Sequence, residues 1–167
     1  NDAYKIRILV NGKIQFDRSW SGTDYSITTS ASYFTLTSGT SGRFTAPEWT
    51  HIAITYDGSS TSGVASVYID GIQVSTTTSA TPSGTITTIA DGSGTLNYLG
   101  ASSAGASTTL RAKYSDFGFW SKILTADEIH DLYSRPLASY RGNNNLQLYV
   151  ALGKSIKNGA LTLKYIK

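Results

Sequence analysis

The sequence predicts an all-β sandwich of two antiparallel sheets carrying one short helix. Three observations carry that expectation. Apolar and polar residues alternate over short runs, as in Tyr4 to Val10, Trp49 to Tyr56 and Leu146 to Val150, which is the period of a half-buried strand. Tight-turn dipeptides stand beside such runs: Asn11-Gly12, Asp70-Gly71 and Asn158-Gly159. Only one segment, residues 125 to 133, combines helical spacing with a helix-start signal. The composition agrees, since 167 residues with 40% hydrophobic and 15% charged side chains suit one domain with a real core. Ser and Thr supply about a quarter of the chain, a share that favours pleated surfaces and long polar loops over helices.

Each element follows in order. Tyr4 to Val10 places Tyr4, Ile6, Ile8 and Val10 against Lys5, Arg7 and Leu9, turns at Asn11-Gly12 and returns as Lys13 to Asp17. Residues 18 to 46 mix Ser, Thr and Gly with Tyr25, Ile27, Tyr33, Phe34, Leu36 and Phe44, enough for two or three short strands. In the strand from Trp49, residues Ile52, Ile54 and Tyr56 share one face, and Trp49, His51, Ala53 and Thr55 share the other. Val64 to Asp70 pairs with it and turns at Asp70-Gly71 into Ile72-Gln-Val74. Residues 75 to 95, rich in Thr, Ser and Gly and broken by Pro82, read as loop, with Ile86 and Ile89 marking one weak strand. Thr125 and Glu128 stand at capping-box spacing, Ile129, Leu132 and Tyr133 share one helical face, and Pro136 ends the helix. Two alternating segments, Leu146 to Val150 and Leu161 to Ile166, form the tail. Trp49, Ile52, Ile54, Val67, Ile69, Phe117 and Phe119 are the expected core.

Two blocks of residues resemble a known family. The first is Trp49-Thr-His-Ile-Ala-Ile-Thr-Tyr56-Asp57-Gly58 followed by Tyr68-Ile-Asp-Gly71. The second runs from Tyr98-Leu-Gly-Ala through Ala112-Lys-Tyr-Ser-Asp116-Phe-Gly-Phe-Trp120 to Leu124-Thr-Ala-Asp-Glu128-Ile-His-Asp-Leu-Tyr133. Together with the hairpin of residues 4 to 17 they resemble laminin-G-like domains of the concanavalin A-like lectin/glucanase superfamily, over about four fifths of the chain. The resemblance implies a jelly-roll sandwich. Members of the family begin with one or two strands ahead of the part matching residues 4 to 17 and finish soon after the helix. Here the leading strands are missing and extra strands follow. We therefore expect one domain over residues 1 to 167, with 140 to 167 as extra or rearranged strands that complete its sheets. The other explanation is a tail that starts a second unit or pairs with a neighbouring subunit.

Composition narrows the function classes. The chain has no cysteine, so disulfide scaffolds, thiolate metal sites and cysteine nucleophiles are excluded. The lack of any methionine gives the expectation of a processed product or a piece of something longer. No run approaches 18 apolar residues and no signal-peptide pattern is present, so membrane insertion is not expected. The net charge of +3 is modest and, apart from Lys154, Lys157, Lys164 and Lys167, the basic residues are scattered, which argues against a nucleic-acid partner. The expected location is extracellular, on a cell surface or on a virion.

Catalytic residues are not expected. Retaining glycoside hydrolysis needs two carboxyl groups about 5 Å apart, and glucanases of the resembled fold set them on one strand as Glu-x-Asp-x-Glu. The two glutamates here, Glu48 and Glu128, stand by a proline turn and in a helix cap. A lyase of that fold would need a converging His, Tyr and Arg, but His51 reads as a packed, hydrogen-bonded strand residue and His130 as solvated. No Gly-x-Ser-x-Gly elbow occurs. No dedicated metal site or cofactor is expected. Calcium, which some domains of the family hold at a loop rim, would fall to Asp24, Asp57, Asp91 and Asp116, two of which precede Gly and also suit turns.

A sugar site would need an aromatic platform among hydrogen-bonding groups. Ser19-Trp20-Ser-Gly-Thr-Asp24-Tyr25 is the richest local mixture, so Trp20, Asp24 and Tyr25, with Tyr33 added, are the candidate ligand-binding residues. The alternative is that Trp20 caps one end of the sandwich. The sequence thus points to a non-catalytic, lectin-like module whose partner is a glycan or surface polysaccharide. The competing reading is a structural surface component, such as a virion decoration, knob or fibre protein or an adhesin subunit, contacting other subunits of a larger assembly.

Overall fold

In chain order the strands are β1 (Tyr4–Ile8), β2 (Ile14–Arg18), β3 (Tyr25–Thr29), β4 (Thr35–Leu36), β5 (Phe44–Thr45), β6 (Ile52–Asp57), β7 (Val64–Ile69), β8 (Ile72–Val74), β9 (Thr76–Ala80) and β10 (Phe117–Trp120). Helix α1 (Ala126–Ser134) follows, and β11 (Leu146–Val150) comes last. The computed structural model describes residues 4–36, 44–45, 49–58, 64–86, 114–135, 140 and 143–150.

The first sheet has the order β1-β2-β3-β9, antiparallel throughout. Its opening hairpin sets Ile6 opposite Phe16 and Ile8 opposite Ile14, and Gly12 takes a φ of 77° in the turn. The second sheet, β6-β7-β8, sets Ile52 opposite Ile69 and Ile54 opposite Val67. Its Asp70-Gly71 loop has φ 50° and 78°, the doubly positive pattern of a type I′ hairpin. Two shorter pairs complete the described ladders, β4 with β5 and β10 with β11.

Alternation now explains the layers. Ile14, Phe16 and Ile27 of the first sheet meet Val67 and Ile69 of the second, with Ile52, Ile54 and Tyr56 packed at the margin. The opposite face of β6-β7-β8 carries Ala53 and Tyr68, which pack with Leu124, Ile129, Leu132 and Trp120 under the helix. The sheet thus has apolar residues on both faces, and β7 is the wall between two cores. Thr29, fully buried, stays satisfied: its hydroxyl accepts from the Ile14 amide at 3.1 Å and donates to the Ala31 carbonyl at 2.8 Å.

Several expectations need correction. The Thr/Ser-rich stretch after residue 75 contains a strand, β9, which pairs with β3 through Thr76, Thr77 and Thr78. It is largely exposed, so it needs no apolar stripe, and its β-branched threonines suffice. Of the expected core, Val67 and Ile69 are buried and Ile52 and Ile54 half-buried, whereas Trp49, Phe117 and Phe119 are exposed. Trp49 precedes β6 and lies outside any described ladder; β10 pairs with β11, and its Phe119 meets the ring of Tyr4. β11 brings a tail segment back to β10, antiparallel, with Phe117 opposite Val150. The expected strand at 161 to 166, Asn158-Gly159 and Ile89 lie outside the described residues.

Candidate functional site

The structure brings Trp20 and Tyr25 together, but inside the core. They are 6% and 5% exposed, so neither offers a free ring face to a sugar, and the expected open platform is overturned. The cause is long-range pairing. The Trp20 indole N–H donates to the Tyr56 hydroxyl at 3.1 Å, and the Tyr25 hydroxyl accepts from the Ala65 amide at 3.1 Å. The Tyr56 ring lies 5.6 Å from both Phe16 and Tyr25, closing an aromatic cluster between the sheets. Asp24 is exposed, but its carboxylate accepts from the Trp20 amide at 2.9 Å, a turn contact. Tyr33 is half-buried against the same cluster.

A different aromatic group faces solvent. At the end of β6-β7-β8 that carries the Asp70-Gly71 turn, Trp49 is 65% exposed and Tyr133, in the last turn of α1, is 49% exposed. His51 joins them. Its amide donates to the Asp70 carboxylate at 2.8 Å, its carbonyl accepts from the Asp70 amide at 2.9 Å, and its ring lies 5.9 Å from Tyr133. The His130 ring also neighbours Tyr133, 6.4 Å away. Gly71 permits this close seat: a side chain there would come within 3.1 Å of both His130 Nδ1 and Tyr133 Cβ. The His51 ring is packed as expected, but its buried Nδ1 has no hydrogen-bond partner among the described residues. Burial lowers its pKa, and the Asp70 carboxylate partly offsets that. The Trp-x-His pattern placed Trp49 and His51 in the chain; it gave no sign that the tryptophan would stand open.

A hollow of about 40 Å³ lies between α1 and the tail, lined by Trp120, Leu124, Glu128, Asp131, Leu132, Tyr140 and Asn143. It has room for a water or two but not for a sugar ring. Its acids are occupied: Asp131 accepts from the Tyr140 hydroxyl and pairs with Arg135, and Glu128 pairs with Lys122 and caps the helix. Asp17 likewise holds Arg7 at 2.7 Å. Among the described residues no group of three or more histidines and acids is placed to hold a metal ion, Asp24, Asp57 and Asp116 included, while Asp91 lies outside them. Among the same residues no helix is long and apolar enough to cross a membrane.

A laminin G family model described as the concanavalin A-like lectin/glucanases superfamily matches residues 1–130. The chain belongs to this laminin G-like family. Its antiparallel sheets and short helix are those of the family's jelly-roll sandwich. The laminin G-like domain is also similar to an S-layer domain-containing protein (residues 221–444) from Clostridium thermocellum ATCC 27405. There the identity is 26%, the match covers 78% of this chain and 55% of that one, and the TM-score is 0.36. The domain therefore spans little more than half of that structure. No curated protein matches it.

Proposed function

We propose that this laminin G-like domain is a non-catalytic recognition module of an extracellular or surface protein, and that its ligand is a carbohydrate taken at the Trp49–Tyr133 end. The observation that carries the reading is the exposure of Tyr133, whose ring lies beside those of His51 and His130, at the end of the sheet where Trp49 is exposed as well. A pyranose has one apolar face that stacks on an aromatic ring, and hydroxyls that imidazole and main-chain groups at the Asp70-Gly71 turn can bond. The acids contribute little to such chemistry as catalysts, since Asp17, Asp70, Glu128 and Asp131 each hold a structural partner.

A glycan array followed by titration calorimetry tests the reading. Trp49→Ala should weaken binding of the captured glycan by about 1–3 kcal/mol, a range taken from bases stacking on aromatic side chains. Because Trp49 is exposed, thermal stability should hardly change. Binding unaffected by Trp49→Ala and Tyr133→Ala would move the sugar elsewhere. No glycan bound, with defined oligomers in light scattering, would favour a structural surface component instead.

A further inference from the structure

Asp70 carries a charge that its hairpin does not use. One carboxylate oxygen accepts from the His51 amide at 2.8 Å, and the Asp70 amide donates to the His51 carbonyl at 2.9 Å. An asparagine would make the same two bonds and takes the turn's φ of 50° as readily. Among the described residues the second carboxylate oxygen accepts no hydrogen bond, and the group has no ion pair. The carboxylate is half-buried, so water screens it less than it would a fully exposed acid.

That charge lies beside the exposed ring of Tyr133. Gly71, the next residue, is seated against the helix, since a side chain there would come within 3.1 Å of both Tyr133 Cβ and His130 Nδ1. The His51 ring, 5.9 Å from Tyr133, responds to two influences: burial lowers its pKa, and the Asp70 charge raises it. The carboxylate field therefore reaches the groups around the tyrosine. Burial favours the neutral His51 imidazole, which then leaves the Asp70 charge uncancelled. An aromatic face attracts a cation for its own reasons, through the negative potential of its π-system. A sugar stacked on Tyr133 with an ammonium group would satisfy ring and carboxylate together. A uronate in the same place would bring a like charge to Asp70, which is discrimination by repulsion.

We propose that the glycan taken at the Trp49–Tyr133 end carries a free amine, as a glucosamine-type amino sugar, and that Asp70 is the residue that selects it. The sugar ring stacks on Tyr133 and the ammonium pairs with the second Asp70 oxygen. This selectivity rests on the carbohydrate reading of that end and adds to it the charge of the ligand.

Calorimetry on the full chain tests it with three oligomers of equal length: glucosamine, N-acetylglucosamine, and glucuronate alternating with N-acetylglucosamine. The buffer is held just below neutral pH, where the amines are charged. The amine-bearing oligomer should bind tightest and the acidic one weakest. Asp70→Asn keeps the oxygen that accepts from the His51 amide and removes the charge. It should weaken the amine oligomer about two- to fivefold, the worth of a partly exposed ion pair, and leave the thermal midpoint and the N-acetylated oligomer nearly unchanged. Added salt should close the gap between native chain and variant. Should the variant fail to fold, the native chain still decides: the amine oligomer should slow amide hydrogen exchange at His51 and Asp70, and protection confined to other segments would overturn the proposal. So would an acidic oligomer bound as tightly as the amine one, or a preference that Asp70→Asn leaves intact. Equal affinity for the amine and N-acetylated oligomers, both weakened by Tyr133→Ala, would overturn the selectivity and leave the carbohydrate reading standing. No binding of any of the three would also overturn it, and the glycan array then decides the wider reading by itself.

Discussion

The burial of Trp20 is decided by Tyr56, thirty-six positions along the chain, whose hydroxyl takes the indole proton. The polar neighbours that made Ser19 to Tyr25 look like a binding loop serve other ends. Asp24 turns the chain through the Trp20 amide, and the Ser21 hydroxyl accepts from the Thr85 amide at 3.0 Å. Local composition reads as function when its partners are distant in sequence, and this was the least legible part of the site. His51 gives a sharper expectation. Burial lowers its pKa below the ordinary 6.5 of a histidine, so the fold prefers the neutral ring while the unfolded chain takes up a proton more readily. The stabilisation is complete above pH about 6.5 and is lost as the pH falls through the lower folded value. Urea midpoints measured from pH 7.5 to 5 should therefore fall for the native protein. His51→Phe should flatten that dependence, and an unchanged slope would mean that the ring is solvated.

Elements fixed by neighbouring residues were the legible ones. The Thr125 hydroxyl accepts from the Glu128 amide at 3.3 Å, and the Glu128 carboxylate accepts from the Thr125 amide at 2.9 Å. That is the capping box its spacing foretold. Lys122, chiefly, and the Thr125 amide hold the Glu128 carboxyl below its usual range, so the cap is intact near neutrality and loosens only in acid. Arg135 is extended, as the residue before a proline should be. The Asp70-Gly71 turn was equally plain, because a two-residue hairpin demands positive φ at both positions and that dipeptide tolerates it. β9 was missed for the converse reason: its partner β3 lies some fifty residues earlier and its own exposed face carries no pattern. Thr125→Ala should cost about 0.5–2 kcal/mol in denaturant unfolding, with glycan binding unchanged. A variant as stable as the native chain would show that helix packing alone sets the start of α1.

The whole molecule turns on β7. Val67 and Ile69 close the core between the sheets, and Tyr68 between them closes the second core under α1 with Leu124, Ile129 and Leu132. Alternation along one strand thereby joins two apolar clusters that otherwise draw on different residues. The sequence showed the alternation, but which face received a sheet and which a helix depended on contacts made far along the chain. The arrangement predicts unequal opening. Helix α1 is anchored through the smaller cluster and a local cap, so it can release while the sandwich persists; β7 can open only when both cores fail. Native-state hydrogen exchange should find the slowest amides in β7 and its ladder partner β6, with α1 exchanging through a separate, cheaper opening. Thr125→Ala should speed exchange in α1 and leave β2 and β3 unchanged, whereas Val67→Ala should speed both regions, because it removes a fully buried side chain from the shared wall. If α1 and β2 slowed and quickened together in every variant, the two clusters would be one cooperative unit, and β7 would be an ordinary central strand instead of the hinge of the fold's stability.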